Sequence, residues 1–567
     1  MGVLKVRLFR PFSLTHLLAA LPASATTLAV LDRTKEPGAS ADPLFQEVAT
    51  ALVEAVARGE RTAMPRLLAG RYGLASKEFT PAMVDAVFRE MSAAEPRRRF
   101  TLGIRDDVSG SNLEWDTSFD LEPDDVSRAL CFGLGADGTV SANKAAIKII
   151  GEGTDLFVQG HFEYDSRKAG STTISHLRFG PRPIRSTYRI RRAQLVAIHD
   201  PEFLERYDML ESAAPGATVL LNTSTPPERV WDSLPLEIQQ ELVARRCRLF
   251  VIDGYGVAEK AGLGRRINTV MQVCFFALAR VMPIDEAMDH MRASVEKTWG
   301  RRGAEVVRRN FAALDAALEA MHEVEVPAAV STVRRRPPAV PEKAPEFVRK
   351  VTRLLLEGHG DDLPVSAFPP DGTWPTGTSR FEKRALAQEI PVWQPDLCAQ
   401  CNFCSMICPH TAIQTKLYDP AGLAGAPEGF RSAQQSFDAK LGDLRFTVQV
   451  APEDCTGRGL CIEVCPAKDR LNPRRKALVP EPLAPHREVE RRSFEFFENV
   501  ASTPLADLPI DKRTAVFRTP LFEFSGACAG CGETPYIRLL TQLFGDHLLV
   551  ANATGCSSIY GGNLPTT

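Results

Sequence analysis

Cys398, Cys401, Cys404 and Cys408, followed by Pro409, set four thiols at the spacing C-x2-C-x2-C-x3-C-P. Thiolates this close on short loops aim at a common centre. That suits an iron–sulfur cluster: three wrap one cube and the fourth turns away to a second. A partner run is therefore required. It follows as Cys455, Cys461, Cys465 and Pro466, matching the first run position for position, except that Arg458 stands where the second cysteine belongs. The crossover rule for such pairs assigns Cys398, Cys401, Cys404 and Cys465 to one site and Cys408, Cys455 and Cys461 to the other. Arg458 cannot complete the second set, since a guanidinium has no lone pair to offer iron. That site is expected to hold a three-iron cluster, a labile four-iron cluster with a non-protein ligand, or nothing. Zinc is the competing reading, but zinc sites close at four ligands and do not account for two x3-C-P endings.

Two further motifs carry chemistry. Cys528 and Cys531 form a CxxC and Cys556 follows in ATGCSS, which suggests a third iron–sulfur site short of one ligand. The alternative is a thioredoxin-type redox pair, though that motif sits between strand and helix without a third cysteine. Earlier, in RALCFGLGADGTVSANKAAIKII, Gly133, Gly135 and Gly138 satisfy G-x-G-x-x-G after an apolar strand ending at Phe132 and before a helix from about Thr139. Backbone there can approach a phosphate facing the helix N-terminus. A tight turn packed on a sheet is the other reading. A dinucleotide would also need an acidic residue after the next strand, where Glu163 or Asp165 stands. Arg178, Arg182 and Arg185 could contact phosphates or line a solvated face.

A chain of 567 residues predicts about three to five domains. The net charge of -2 argues against nucleic acid as the main partner. Ten of thirteen cysteines lie at or after Cys398, the pattern of metal ligands in a reducing cytoplasm rather than of disulfides. Cys131, Cys247 and Cys274 sit in apolar surroundings and read as buried thiols. No stretch approaches the ~20 apolar residues that span a bilayer. Lys5, Arg7 and Arg10 before LTHLLAALPASA imitate a secretory leader. However, His16 interrupts the apolar run and GVLKVRLF alternates like a strand, so Ser13 opening a helix in a folded domain is preferred.

The elements that must position these residues are α/β throughout. Residues 1–98 read strand, helix, strand, helix, with Leu44, Phe45, Val48, Leu52 and Val56 on one helical face and a helix from Thr80-Pro81 carrying Met83, Val84, Val87, Phe88 and Met91. Residues 99–326 form a second α/β region whose strands QLVAIHD, ATVLLNT and CRLFVIDG alternate with helices, the pattern of a parallel sheet. The helix from Ile267 to Arg280 is apolar nearly all round and should be buried. Residues 327–390 read as a linker, its Arg334–Arg336 triplet solubilising, and an extended arm. The paired cysteine runs occupy a domain at 391–482 with an insertion from Tyr418 to Val450. The segment 483–567 includes a strand HLLVANA and ends without a closing element. The fold class is multidomain α/β: open parallel-sheet domains plus an inserted two-cluster ferredoxin-like α+β domain.

Taken together, GLGADGTVSANK, YDSRKAGSTTISHLRFGP, FPPDGTWPTGTSRFEKR, the two cysteine runs, GACAGCGETPY and NATGCSSIYGGNLPTT resemble the pyruvate:ferredoxin (flavodoxin) oxidoreductases, thiamine enzymes with three [4Fe-4S] clusters. The resemblance implies oxidative decarboxylation of pyruvate to acetyl-CoA and carbon dioxide, with electrons passed to ferredoxin or flavodoxin by a cytoplasmic homodimer. It implies a transketolase C-terminal type domain at 1–98 and a gamma-type domain for coenzyme A at 99–326, with Asn143 and Lys144 near its phosphates. The start of the thiamine diphosphate domain falls at 483–567, with Glu533 at the cofactor. Cys528, Cys531 and Cys556 correspond to ligands of the cluster nearest the thiamine. The fourth ligand, the magnesium motif and the pyruvate domain are expected outside this chain, which alone should not turn over pyruvate. An electron-transfer and coenzyme-A-binding module, or an enzyme for another 2-oxoacid, are the alternatives.

Overall fold

The structure is a computed structural model that describes residues 1–567 except 136, 137, 166–169, 265, 510, 554, 560–565 and 567, and the side chains of 558 and 559. The chain opens without the expected strand: residues 1–9 join no sheet. Alternation alone does not make a strand where no neighbouring backbone completes its hydrogen bonds. Ser13 does open α1 (Leu14–Ala20), its hydroxyl accepting the His16 N–H at 3.3 Å. β1 (Thr27–Asp32), β2 (Arg66–Arg71) and β3 (Arg99–Thr101) then form a parallel sheet in that order. The crossovers carry α2 (Pro43–Ala57) and α3 (Pro81–Met91). The carboxylate of Asp32, at the end of β1, accepts the Leu44 and Phe45 N–H groups at 2.9 and 3.0 Å and so caps α2. Leu68, Met83, Val87, Phe100 and Leu113 share one core. The unit therefore runs beyond the expected boundary at residue 98, because β3 completes the sheet.

The second sheet has seven strands: β4 (Ser127–Leu134), β5 (Phe157–Tyr164), β6 (Thr172–Gly180), β7 (Ala193–Ile198), β8 (Ala213–Asn222), β9 (Arg248–Ile252) and β10 (Met321–Val324). Their order is β10-β9-β8-β7-β4-β6-β5, with β4, β7, β8 and β9 parallel and β5, β6 and β10 in antiparallel pairs. The central strands are apolar on both sides because helices cover both faces. α4 (Thr139–Gly153) follows β4. On the opposite face lie α5 (Pro227–Ser233) and α6 (Leu236–Ala244), while α7 (Gly254–Lys260), α8 (Asn268–Ala279), α9 (Ile284–Trp299) and α10 (Ala304–Glu319) join α4. As its composition requires, α8 is buried from Thr269 to Phe276 except for Gln272. Cys131, Cys247 and Cys274 are buried as expected, and burial pushes the first and last up to about 12.

One expectation about the arginines fails here. Arg178 is neither solvated nor offered to a phosphate: it is 1% exposed and bonds to Glu122 at 2.6 Å, Gln159 at 3.2 Å and the Tyr188 carbonyl at 2.8 Å. The triplet at 334–336 stays largely exposed at Arg334 and Arg335, as a solubilising run would, though it is also anchored. Arg334 pairs with Glu205 at 2.8 Å, and Arg336 donates to the Tyr207 carbonyl at 2.6 Å. The partners of these arginines lie far away in sequence, so local pattern cannot reveal them. The arm contains a π-helical turn, Val348–Thr352, running into α11 (Arg353–Leu356).

The cysteine-rich unit is built from two antiparallel pairs of strands, one nested within the other in sequence. β11 (Glu389–Trp393) pairs antiparallel with β15 (Leu478–Pro482). β12 (Ile413–Tyr418) pairs with β14 (Arg445–Val450), and β13 (Ala433–Gln434), within the insertion, adds to β14. Each run ends in a short helix: α12 (Phe403–Ile407) and α13 (Leu460–Val464). α14 (Leu483–Asn499) packs on β14, and α15 (Thr534–Phe544) packs on α12. The expected strand at His547–Ala553 does not form, and Leu549 there is 98% exposed. Among the described residues no helix is long and apolar enough to cross a membrane.

Arg178→Ala should destabilise the chain by about 3–5 kcal/mol, since it strands the buried Glu122 carboxylate. Arg178→Met with Glu122→Gln should recover most of that loss in chemical denaturation.

Candidate iron–sulfur centre

The two runs adopt one backbone form twice. In the first, Gln400 and Asn402 take left-handed conformations (φ 50 and 63) on either side of Cys401, and Asn402 opens α12. In the second, Gly457 and Gly459 (φ 66 and 80) flank Arg458, and Gly459 opens α13. The non-glycine pair is tied down by side chains: Gln400 donates to the Gln434 carbonyl and accepts the Ser436 N–H, and Asn402 donates to the Arg513 carbonyl, all at 2.7–2.8 Å. In each run the first thiol receives a backbone N–H two residues on, Gln400 to Cys398 at 3.3 Å and Gly457 to Cys455 at 3.4 Å. Arg458 thus occupies the backbone slot of a ligand.

The thiols gather in the two crossed sets. Cys398, Cys401, Cys404 and Cys465 line one enclosed cavity with Trp393, Phe446, Val448 and Leu478. Burial drives the Cys404 thiol well above its ordinary value, with Cys398, Cys461 and Cys401 adding to the rise, and raises Cys398 as well. Cys455 is pushed up to about 12 by burial, with Cys408 contributing, and Cys461 still higher by burial, then by Cys408 and Cys455. The influence of Cys461 on Cys404 marks where the two sets adjoin. Such thiols stay protonated until a metal replaces the proton.

This donor set fits a polynuclear cluster. Four soft sulfur ligands surround a space, and the Trp393 indole N–H points at the Cys398 sulfur, favouring its thiolate form. Among the described residues, no group of three or more His, Cys, Asp or Glu side chains is placed to hold a metal ion. The second set offers only three thiols. The stem of Arg458 lies over Gly530, in the CxxC loop, where an added Cβ would meet its Cγ at 3.1 Å. Gly530 has φ +79, so the turn also needs glycine for its conformation.

Third-site residues are less enclosed. Cys531 N–H closes a turn on the Cys528 carbonyl at 3.0 Å, Cys528 and Cys556 are exposed, and Glu533 precedes α15, also exposed. The glycine-rich turn lies at the carboxyl end of β4, though residues 136 and 137 are outside the described set. Its glycines have packing reasons: a Cβ at Gly133 would overlap Thr139, one at Gly135 would lie 2.5 Å from the Ser171 hydroxyl, and Gly138 has φ +86. Thr139, at the start of α4, bonds to His199 Nδ1 at 2.8 Å. Asn143 is buried with its side chain hydrogen-bonded to Cys131, and the Lys144 ammonium lies 5.2 Å over the Phe162 ring. Glu163, considered for a ribose, is occupied by Arg189 at 2.7 Å and His176 at 3.0 Å. Sequence reasoning missed Trp393 and the buried Arg538, described below; an isolated cation on the helix following a CxxC was the available signal.

Arg458→Cys should raise iron and acid-labile sulfide in the anaerobically reconstituted chain, because its slot already has ligand backbone geometry. Equal iron and identical EPR spectra in both proteins would refute this.

Three sequence families match the chain: pyruvate ferredoxin/flavodoxin oxidoreductase at residues 128–320, a domain of unknown function at 334–387, and a 4Fe-4S dicluster domain at 397–468. The pyruvate-flavodoxin oxidoreductase of Nostoc sp. is 51% identical over 100% of this chain and 48% of its own length. That of Rhodospirillum rubrum is 49% identical, with 100% and 48% covered, and the pyruvate:ferredoxin oxidoreductase of Moorella thermoacetica 47%, with 100% and 47% covered. The chain spans about half the length of these curated relatives. Along its entire sequence the chain is similar to the pyruvate-flavodoxin and pyruvate:ferredoxin oxidoreductases, and it matches the oxidoreductase model at 128–320 and the 4Fe-4S dicluster model at 397–468.

Proposed function

We propose that the chain is the coenzyme-A-binding and electron-transfer part of an enzyme that oxidises pyruvate to acetyl-CoA and carbon dioxide, with ferredoxin or flavodoxin as acceptor. The observation that carries this reading is the enclosed site of Cys398, Cys401, Cys404 and Cys465 beside the three-thiol site, in a chain similar throughout to enzymes of those names. When bound, [4Fe-4S] clusters supply one-electron carriers that match the stepwise oxidation of a thiamine adduct. The protein's own part is to hold them dry and close. Trp393, Phe446, Val448 and Leu478 exclude water from the first site, and the approach of Cys404 to Cys461 brings the second within short range.

The remaining assignments follow from the same reading. Gly133, Gly135, Gly138, Asn143 and Lys144 belong to the coenzyme A region, with the turn at the carboxyl edge of the parallel strands, where ligands of open α/β sheets bind. Cys528, Cys531 and Cys556 are assigned to the cluster nearest the thiamine, and Glu533 to thiamine diphosphate and its Mg2+. A cytoplasmic homodimer is the expected assembly of the whole enzyme.

The test uses the full chain, anaerobically reconstituted and reduced with dithionite. Flavodoxin or ferredoxin should reoxidise it, and Cys404→Ala should remove the first site's EPR signal and slow that reoxidation severely. Calorimetry should detect coenzyme A binding that Gly138→Val abolishes while cluster absorbance persists. Failure of both acceptors to oxidise the reduced chain would overturn the electron-transfer role.

A further inference from the structure

Arg538 is the most deeply buried cation near the thiol sites. It projects from α15, one turn beyond the CxxC segment, and is 3% exposed. One nitrogen donates to the Met406 carbonyl at 3.0 Å, on the α12 turn between Cys404 and Cys408, while Nε has no partner. No carboxylate lies within ion-pair distance of it among the described residues. Glu523, the nearest acid to influence it, is already held by Arg380 at 3.1 Å and Gln414 at 2.9 Å.

A guanidinium in this position is costly unless an anion faces it, and a guanidinium cannot escape the cost by losing its proton as a lysine can. The groups beside it are Cys404, of the four-thiol site, and Cys408, of the three-thiol site. As thiols they are neutral and give no compensation. As ligands they are thiolates on anionic clusters, and the cation is then matched.

We propose that Arg538 is a positioning residue that supplies the counter-charge shared by the two ferredoxin-type sites and holds α15 against them more tightly when they are loaded. The proposal rests on the cluster reading above. It gives α15, which carries the third site's loop on its N-terminal side, a reason to hold its place against α12 that depends on cluster content. A cation here also favours the reduced, more negative state of both clusters, so its removal should make them harder to reduce.

The experiment compares Arg538→Met and Arg538→Lys with the parent in the full chain, before and after anaerobic reconstitution. Iron and sulfide content of the parent come first; a parent that binds no iron refutes the cluster reading itself. Given iron, EPR-monitored redox titration should place both clusters of Arg538→Met at more negative potential than the parent, with Arg538→Lys close to the parent. Thermal unfolding and hydrogen exchange across 534–544 supply the second readout. The metal-free Arg538→Met chain should be at least as stable as the parent, and loading should protect this helix more in the parent than in Arg538→Met. Unchanged potentials with equal gains on loading would overturn the proposal. A methionine variant that is less stable without metal would do so as well, since it would mean that Arg538 is compensated before clusters bind.

Discussion

The cysteine-rich half depends on an exchange of ligands between two distant runs. Neither run can complete its own site: Cys408 leaves the first for the second and Cys465 returns. Folding must therefore bring α12 against α13 and pair β11 with β15, and β12 with β14, before either cavity exists. This couples cluster loading to tertiary structure, so that binding free energy is also folding free energy. It also holds the two sites side by side.

Burial is the second constraint. Thiols held in apolar surroundings resist ionisation, and the rises at Cys404, Cys455 and Cys461 express that cost. Metal offsets it directly, and backbone N–H groups from Gln400 and Gly457 assist. Buried cations address the same charge from outside the ligand set. Arg538 is placed to do so from α15, whereas the exposed Arg458 keeps a ligand's backbone slot and lays its stem over Gly530. Two arginines thus link the paired sites to the segment with the remaining cysteines.

The upstream half is more conventional. A seven-stranded sheet covered on both faces sets the Gly133–Thr139 turn at the carboxyl ends of its parallel strands. The glycines there satisfy helix-on-strand packing first, as Gly133 under Thr139 illustrates. Residues already required by packing lend a ligand weaker support than their pattern suggests.

By itself the sequence determined the cysteine spacing and most elements. That spacing pointed to the grouping of Cys398, Cys401, Cys404 and Cys465 around one cavity, and local periodicity located β7, β8, β9 and the buried α8. These are short-range properties, set by thiol spacing, apolar repeats and caps such as Ser13. Only tertiary structure decided the partners of Arg178, Arg334 and Arg336, the inclusion of β3 in the first sheet, and the failure of residues 1–9 and 547–553 to become strands. Each depends on what lies opposite in space: a strand needs a neighbour's backbone, and an arginine is solvated or buried according to whether a distant carboxylate or carbonyl meets it. Arg538 is the clearest case, one cation on an otherwise ordinary helix, given meaning by the thiols of another segment folded against it.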